Sequence, residues 1–310
     1  MKGAVLLTMA GLIVKLLSAV YRVPFQNMVG DQGFYIYQQV YPFIGIFSTW
    51  TSYGFAVAVS KVMADSEERD HGSILRIAFA FIAVVSTLFF LLLYAGSGLL
   101  ADWMGDAKLA PLLKVGAFTV LLMPVLAVLK GLFQSYNDMA PVAYAQVAEQ
   151  AVRVSVILLG TWCVISSGLS LYAAGQTAMF GAFIGEMAGV ALLVAFYRKR
   201  LFKFSPSPGF RKWPAIKTLV AVSLSVSMSS LILLFFQLAD SFTVFQLLAD
   251  SGLGRMDAME QKGVYDRGQP LVLDALGRLE GDAQVVLVER DVALDPEFAL
   301  VANAKTLSAA

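Results

Sequence analysis

Cysteine and histidine each occur once in the 310 residues. Cys163 has no second cysteine to pair with, so an intrachain disulfide is excluded, and His71 alone cannot found a Cys/His metal site. Charge is scarce too. Only 15% of residues are Asp, Glu, Lys or Arg, where soluble domains carry about a quarter. The net charge of +1 gives no whole-chain bias toward nucleic acid. There is no glycine-rich phosphate loop, no zinc spacing and no nucleophile–histidine pair, so no catalytic residue, metal or cofactor is expected and the chain does not read as an enzyme. Asp65, Glu67, Glu68 and Asp70 cluster beside His71 and read as a solvated loop.

What is present is apolar length. Hydrophobic residues make up 58% of the chain and the mean hydropathy is +0.71. A membrane-spanning helix needs about 20 mainly apolar residues. Seven segments qualify, near 4–23, 36–59, 74–100, 112–134, 142–166, 173–197 and 215–237. The runs are continuous rather than alternating, which excludes a barrel and leaves helices, whose backbone groups are satisfied internally. The expected fold is therefore an all-α polytopic membrane protein with about seven transmembrane helices. Lys2 followed by an apolar run resembles a signal peptide, but Lys15 interrupts the run and further spans follow, so it reads as a retained first helix. The connection 198–217 carries seven Lys/Arg and no acid, which places it in the cytoplasm. Six helices precede it, so the N-terminus is expected there too, in the cytoplasmic membrane of a cell.

Charges inside these runs need a reason. Lys15, Ser18 and Arg22 are spaced i, i+3, i+7 and share one helix face. A cation at mid-helix costs about 2.5–3.5 kcal/mol on insertion scales, so this face should look into a bundle or a wet cavity. Gln146, Glu149 and Arg153 share a face in the same way, and Glu149 and Arg153 are placed to neutralise each other. Glu186 interrupts a glycine ladder, Gly181, Gly185 and Gly189, which reads as a close helix–helix contact. Pro42 and Pro124 fall inside apolar runs and are expected to kink them as hinges. Tyr35, Tyr37 and Tyr41 read as an interfacial aromatic belt or as the lining of a sugar-binding mouth.

Three stretches carry a family resemblance. They are YRVPFQNMVGDQGFYIYQQVYP at 21–42, GLFQSYNDMAPVAYAQVAEQAVRV at 131–154 and KGVYDRGQP at 262–270. The first lies between two apolar runs and holds more polar residues than a short turn needs. In the second, Gly131, Gln134, Asn137, Met139, Pro141, Gln146, Glu149, Gln150 and Arg153 look like the family's helix 4–5 signature. Over about residues 1–270 the chain resembles sporulation-protein-B-like polysaccharide transporters. These belong to the multidrug/oligosaccharidyl-lipid/polysaccharide (MOP) exporter superfamily, which includes the lipid II flippases. The resemblance implies two six-helix bundles. Residues 1–200 would form the first, 198–217 a basic cytoplasmic loop, and 215–250 a seventh helix that starts the second. It also implies flipping of a lipid-linked oligosaccharide or peptidoglycan precursor by alternating access. The expected partners are the bilayer and a polyprenyl-diphosphate-linked saccharide, with a sodium ion or proton as the coupling ion.

On that reading Lys15, Arg22, Lys61 and Arg153 would meet the anionic diphosphate, and Glu149, Glu186 and Asp240 would be candidates for ion coupling. The alternatives are a multidrug cation antiporter of the same superfamily and an inactive or interaction-only membrane fragment. Residues 251–310 are different in kind, with six Lys/Arg and ten Asp/Glu. After about residue 270 no spanning run follows. The expectation there is a disordered or non-native tail, out of frame or a scar, ending about half a transporter, with a short genuine soluble tail as the other reading.

Overall fold

A computed structural model describes residues 2–200, 202, 210 and 212–268. The chain divides into two compact units, Met1–Gly263 and Val264–Ala310. Within the second, residues 264–268 are helical; the expectations for the tail beyond lie outside the described residues.

The described residues of the first unit form helices and turns, with no strand among them. The longer helices are α1 (Lys2–Val20), α2 (Arg22–Thr49), α3 (Ala56–Ala64), α4 (His71–Ala95), α5 (Ser97–Trp103), α6 (Ala110–Val120), α7 (Met123–Ser135), α8 (Met139–Ser166), α9 (Leu171–Arg200) and α10 (Lys212–Asp250). Among the described residues, six stretches are long and apolar enough to cross a membrane. The first, Val5–Ala64, is 60 residues long. At 1.5 Å per residue that is about 90 Å, roughly three hydrocarbon thicknesses, so it cannot be one crossing. It holds the first two of the seven expected segments. Large apolar side chains such as Leu88, Leu92, Leu159 and Phe236 are exposed on these helices, as lipid-facing residues are.

Three boundaries differ from expectation. Residues 24–35, expected as the connection between the first two spans, are helical; the breaks are a turn at Tyr21 and a non-helical residue at Gly30. Gly30 has φ 66°, a conformation that glycine reaches without strain. Pro42 lies within α2 with no non-helical residue beside it; the helix is interrupted at Gly30 and widens into a π-turn at Trp50–Phe55. The extra residue per turn of a π-turn accommodates such a distortion without a proline. Pro124 sits in the first turn of α7, just after the helical run breaks at Leu121 and Leu122, where its missing N–H removes no hydrogen bond.

Small residues bring the helices together. On α9, a Cβ at Gly185 would lie 2.7 Å from Arg153 Cβ, and one at Gly181 would lie 2.8 Å from Ile157 Cγ1. The glycine ladder thus lets α9 lie directly on α8, as a packing role requires. A serine face does the same for α10. Ser223 and Ser227 are buried against Gly54 of the π-turn, and Trp50 Nε1 donates to Ser223 Oγ at 3.0 Å. Further along, Gln39 Nε2 donates to the Ser241 carbonyl at 3.1 Å. α1 packs on α8, and α2 packs on α6, α8 and α9.

His71 is buried, not solvated as its acidic neighbours suggested. Its Nε2 lies 2.9 Å from the Met63 carbonyl, which can only accept, so Nε2 carries the proton. Nδ1 then accepts from the Tyr136 hydroxyl at 3.1 Å. Burial and the nearby Glu68 carboxylate push the Tyr136 phenol above its ordinary pKa, so it keeps the proton it donates. This contact ties the start of α4 to the turn between α7 and α8. Arg200 at the end of α9 meets Asp138 of the same turn at 2.6 Å.

Candidate functional site

Two chambers share walls formed by α1, α2, the π-turn and α8, one of about 430 Å³ and one of about 200 Å³. Val14 and Ser18 of α1, Tyr37 and Tyr41 of α2, Tyr53 of the π-turn and Arg153 of α8 line both. Lys15 and Arg22 line the larger chamber. Lys130, Glu149 and Glu186 line the smaller one. The helical spacing of Lys15, Ser18 and Arg22 is thus present as one face on one cavity, although Arg22 already belongs to α2.

Arg153 is the centre of the smaller chamber. Its Nη2 lies 3.0 Å from Glu149 Oε1, one turn back on α8, and 3.0 Å from Glu186 Oε1 on α9. Lys130 Nζ of α7 lies 3.6 Å from Glu149 Oε2. Glu186 is 1% exposed and Lys130 2%. Burying such ions is tolerated only with close counter-charges, and the alternating Lys–Glu–Arg–Glu order supplies them. Gln150 Nε2 donates to Ser18 Oγ at 2.9 Å, and that hydroxyl donates to the Val14 carbonyl at 2.7 Å, which anchors α1 to α8. Glu186 Oε2 and Arg153 Nε are buried without a hydrogen-bond partner. The network therefore keeps unused bonding capacity next to open space.

Not every expected residue arrives there. Lys61 is exposed in the last turn of α3 and lines neither chamber. Asp240 sits half-buried in mid-α10, which runs on to Asp250, and also lines neither. Tyr35 and Tyr37 are buried in protein rather than set in an exposed belt, and Tyr35 packs on Phe245 with ring centroids 5.0 Å apart. Tyr37 and Tyr41 face the cavity. Lys130 joins the site without a signal in its own stretch. It stands in MPVLAVLKGLFQS, where a lone cation reads as the end of a span instead of a buried partner.

A second polar cluster lies between α5 and α6. Asp106 is fully buried, accepts from Tyr172 Oη at 2.6 Å and pairs with Arg255 Nη2 at 2.7 Å. Arg255 Nη1 also donates to the Gly105 carbonyl at 3.2 Å. Burial acts to lower the Arg255 pKa, but the Asp106 charge and the Tyr172 hydroxyl raise it, and the net is a guanidinium held above its ordinary value. Among the described residues no group of three or more His, Cys, Asp or Glu could hold a metal ion.

Comparison with known proteins adds the family. Residues 1–287 match the family described as polysaccharide biosynthesis protein. The chain is 43% identical over 277 residues to the uncharacterized membrane protein YabM of Bacillus subtilis (strain 168), covering 87% of this chain and 52% of that protein. It is 31% identical over 278 residues to stage V sporulation protein B of the same organism, covering 85% and 52%. It is 27% identical over 227 residues to the lipid II flippase MurJ of that organism, covering 67% and 42%. The chain thus spans about half the length of the curated relatives it matches. No solved structure matches it significantly. With its apolar helices and its cavity of paired charges, this chain is a multi-pass membrane protein that belongs to the polysaccharide biosynthesis protein family.

Proposed function

We propose that the chain forms the N-terminal half of a flippase that moves a polyprenyl-diphosphate-linked saccharide, such as a peptidoglycan precursor, across the cytoplasmic membrane. It does so by alternating access, without chemical change to the substrate. The observation that carries this reading is the charge of the cavity. Four cations, Lys15, Arg22, Lys130 and Arg153, and two carboxylates, Glu149 and Glu186, line the joined chambers. Both carboxylates are already engaged by Arg153. Lys15 and Arg22 therefore supply the positive excess that a diphosphate head needs within the hydrocarbon. An Arg guanidinium offers a two-pronged contact to phosphate, and a Lys ammonium a compact charge. A cation antiporter would need the opposite balance. The family and the named flippase among the relatives support the substrate class. The basic 198–217 connection supports a cytoplasmic N-terminus. Glu186, whose second oxygen is unpartnered beside the cavity, is the preferred carrier of a coupling proton or sodium ion.

Lys15→Gln and Arg22→Gln test the assignment, because neither residue belongs to the buried ion network. Each should weaken binding of polyprenyl diphosphate to the purified chain in nanodiscs roughly tenfold, the loss of one charge-assisted contact of about 1.5 kcal/mol. Uncharged polyprenol should bind both variants and the parent alike. Unchanged diphosphate binding in both variants would overturn the reading.

A further inference from the structure

A groove of about 310 Å³ lies elsewhere on the bundle and shares no lining residue with the two chambers. Its floor is α7, which packs against both α4 and α9. Val125, Val128 and Leu129 form that floor, and Val128 is only 7% exposed. Phe79 of α4 and Val194 of α9 form the walls, and Phe79 is 44% exposed. These five residues are all apolar. At the rim stand Tyr197 and Arg198.

The rim sits at one end of the bundle. Arg198 is two residues from the end of α9, and the His71–Tyr136 and Arg200–Asp138 contacts bring the start of α4 and the turn after α7 to that same end. Val194 lies one helical turn deeper, about 6 Å. Phe79 lies eight residues into α4, about 12 Å from its start. The groove therefore begins at the depth of lipid headgroups and runs into the hydrocarbon.

Charge decides what can fill it. Arg198 is exposed and has no acidic partner among the described residues, whereas Arg200, one half-turn on, is held by Asp138. No carboxylate lines the groove. An occupant must thus place an anion at the rim and an apolar chain on the floor. Basic pockets between membrane helices near the cytoplasmic face recognise anionic head groups in this way.

We propose that the α4–α7–α9 groove is a binding site for an anionic glycerophospholipid of the bilayer, its phosphate on Arg198 and one acyl chain along Val125, Val128 and Leu129. The site is separate from the substrate cavity, and its occupancy holds α4 and α9 against α7. Native mass spectrometry of the purified full chain, titrated with phosphatidylglycerol or phosphatidylcholine, tests it. One bound phosphatidylglycerol should be favoured about fivefold over phosphatidylcholine, the worth of one cation near anionic lipid. Arg198→Gln should abolish that preference, Arg198→Lys should keep it, and Lys199→Gln, one residue away and outside the lining, should leave it unchanged. Val128→Trp should expel both lipids. Equal binding of the two lipids by the parent, or a preference that survives Arg198→Gln, would overturn the proposal. So would displacement of phosphatidylglycerol by equimolar polyprenyl phosphate, which would make the groove a carrier-lipid site. These readouts do not involve Lys15 or Arg22, so they stand or fall independently of the flippase reading.

Discussion

Two clusters of buried charge in this bundle are built on opposite principles. Around Asp106 each carboxylate oxygen is used: Tyr172 and Arg255 hold one each, and the Lys108 backbone N–H adds a third contact at 3.2 Å. Its guanidinium partner is half in solvent, with 52% of the side chain exposed. Around Arg153 the acids are buried more deeply than their cation, which reaches the chambers, and Glu186 Oε2 stays unpartnered. The first cluster is complete and closes a turn. The second is incomplete beside a cavity. Buried polar groups left with spare bonding capacity are costly, and here they lie beside the cavity in which we propose that a ligand or an ion binds.

The sharpest way to break the comparison is to remove each guanidinium. Arg153→Ala removes the ion-pair partner of buried Glu186 and should lower stability by about 3–5 kcal/mol, read as thermal unfolding in detergent. Adding Glu186→Gln to that variant should restore a large part of the loss, because the orphaned charge is then gone. Arg255→Ala should cost less, about 1.5–3 kcal/mol, since Asp106 keeps Tyr172 and the backbone donor. Equal losses for the two arginines would erase the distinction drawn between the clusters. Gly185→Leu attacks the Arg153 network from a position that carries no charge. Its new side chain meets Arg153 Cβ and the Glu149 carbonyl, and overpacking of about 1–3 kcal/mol should follow. The same substitution at Gly98, where a Cβ would meet nothing within 4 Å, should show no such overpacking and serves as the control. His71→Ala sets the scale for a buried ring whose two nitrogens both have partners and should cost roughly 1–2 kcal/mol, measured in the same way.

The membrane class was legible in the sequence because a soluble fold rarely has room to bury repeated, unbroken apolar runs of about 20 residues. Legible too were the charges that interrupt those runs. Lys15, Arg22, Glu149, Arg153 and Glu186 stand out against their neighbours, and helical spacing puts the first two and the next two on common faces. What stayed hidden depended on distance along the chain. Nothing local tells that Asp106 pairs with Arg255, since the five helices α6 to α10 lie between them in the chain. Lys130 reads as the end of a span until α8 is seen to place Glu149 against it. His71 takes its reading from acidic neighbours, whereas its burial is decided by Met63 and Tyr136. Pro42 is the expected bend, and the glycine at 30 and the π-turn at 50–55, which the sequence did not single out as irregular, break the helix on either side of it. Lys61 shows the converse. A cation at a helix end satisfies the same composition rule as one in a cavity, and only the neighbouring helices separate the two.

The ladder at Gly181, Gly185 and Gly189 has a consequence for how such a site can drift over generations. These positions bear no chemistry of their own, yet one added methyl at Gly185 collides with the backbone and Cβ of the residues that carry it. The spacing of the charges is therefore written in residues that have no side chain. A screen that looked only for altered acids and bases would miss the shortest route by which this protein could lose its polar centre. Inheritance of the site is, in this sense, inheritance of an emptiness between two helices.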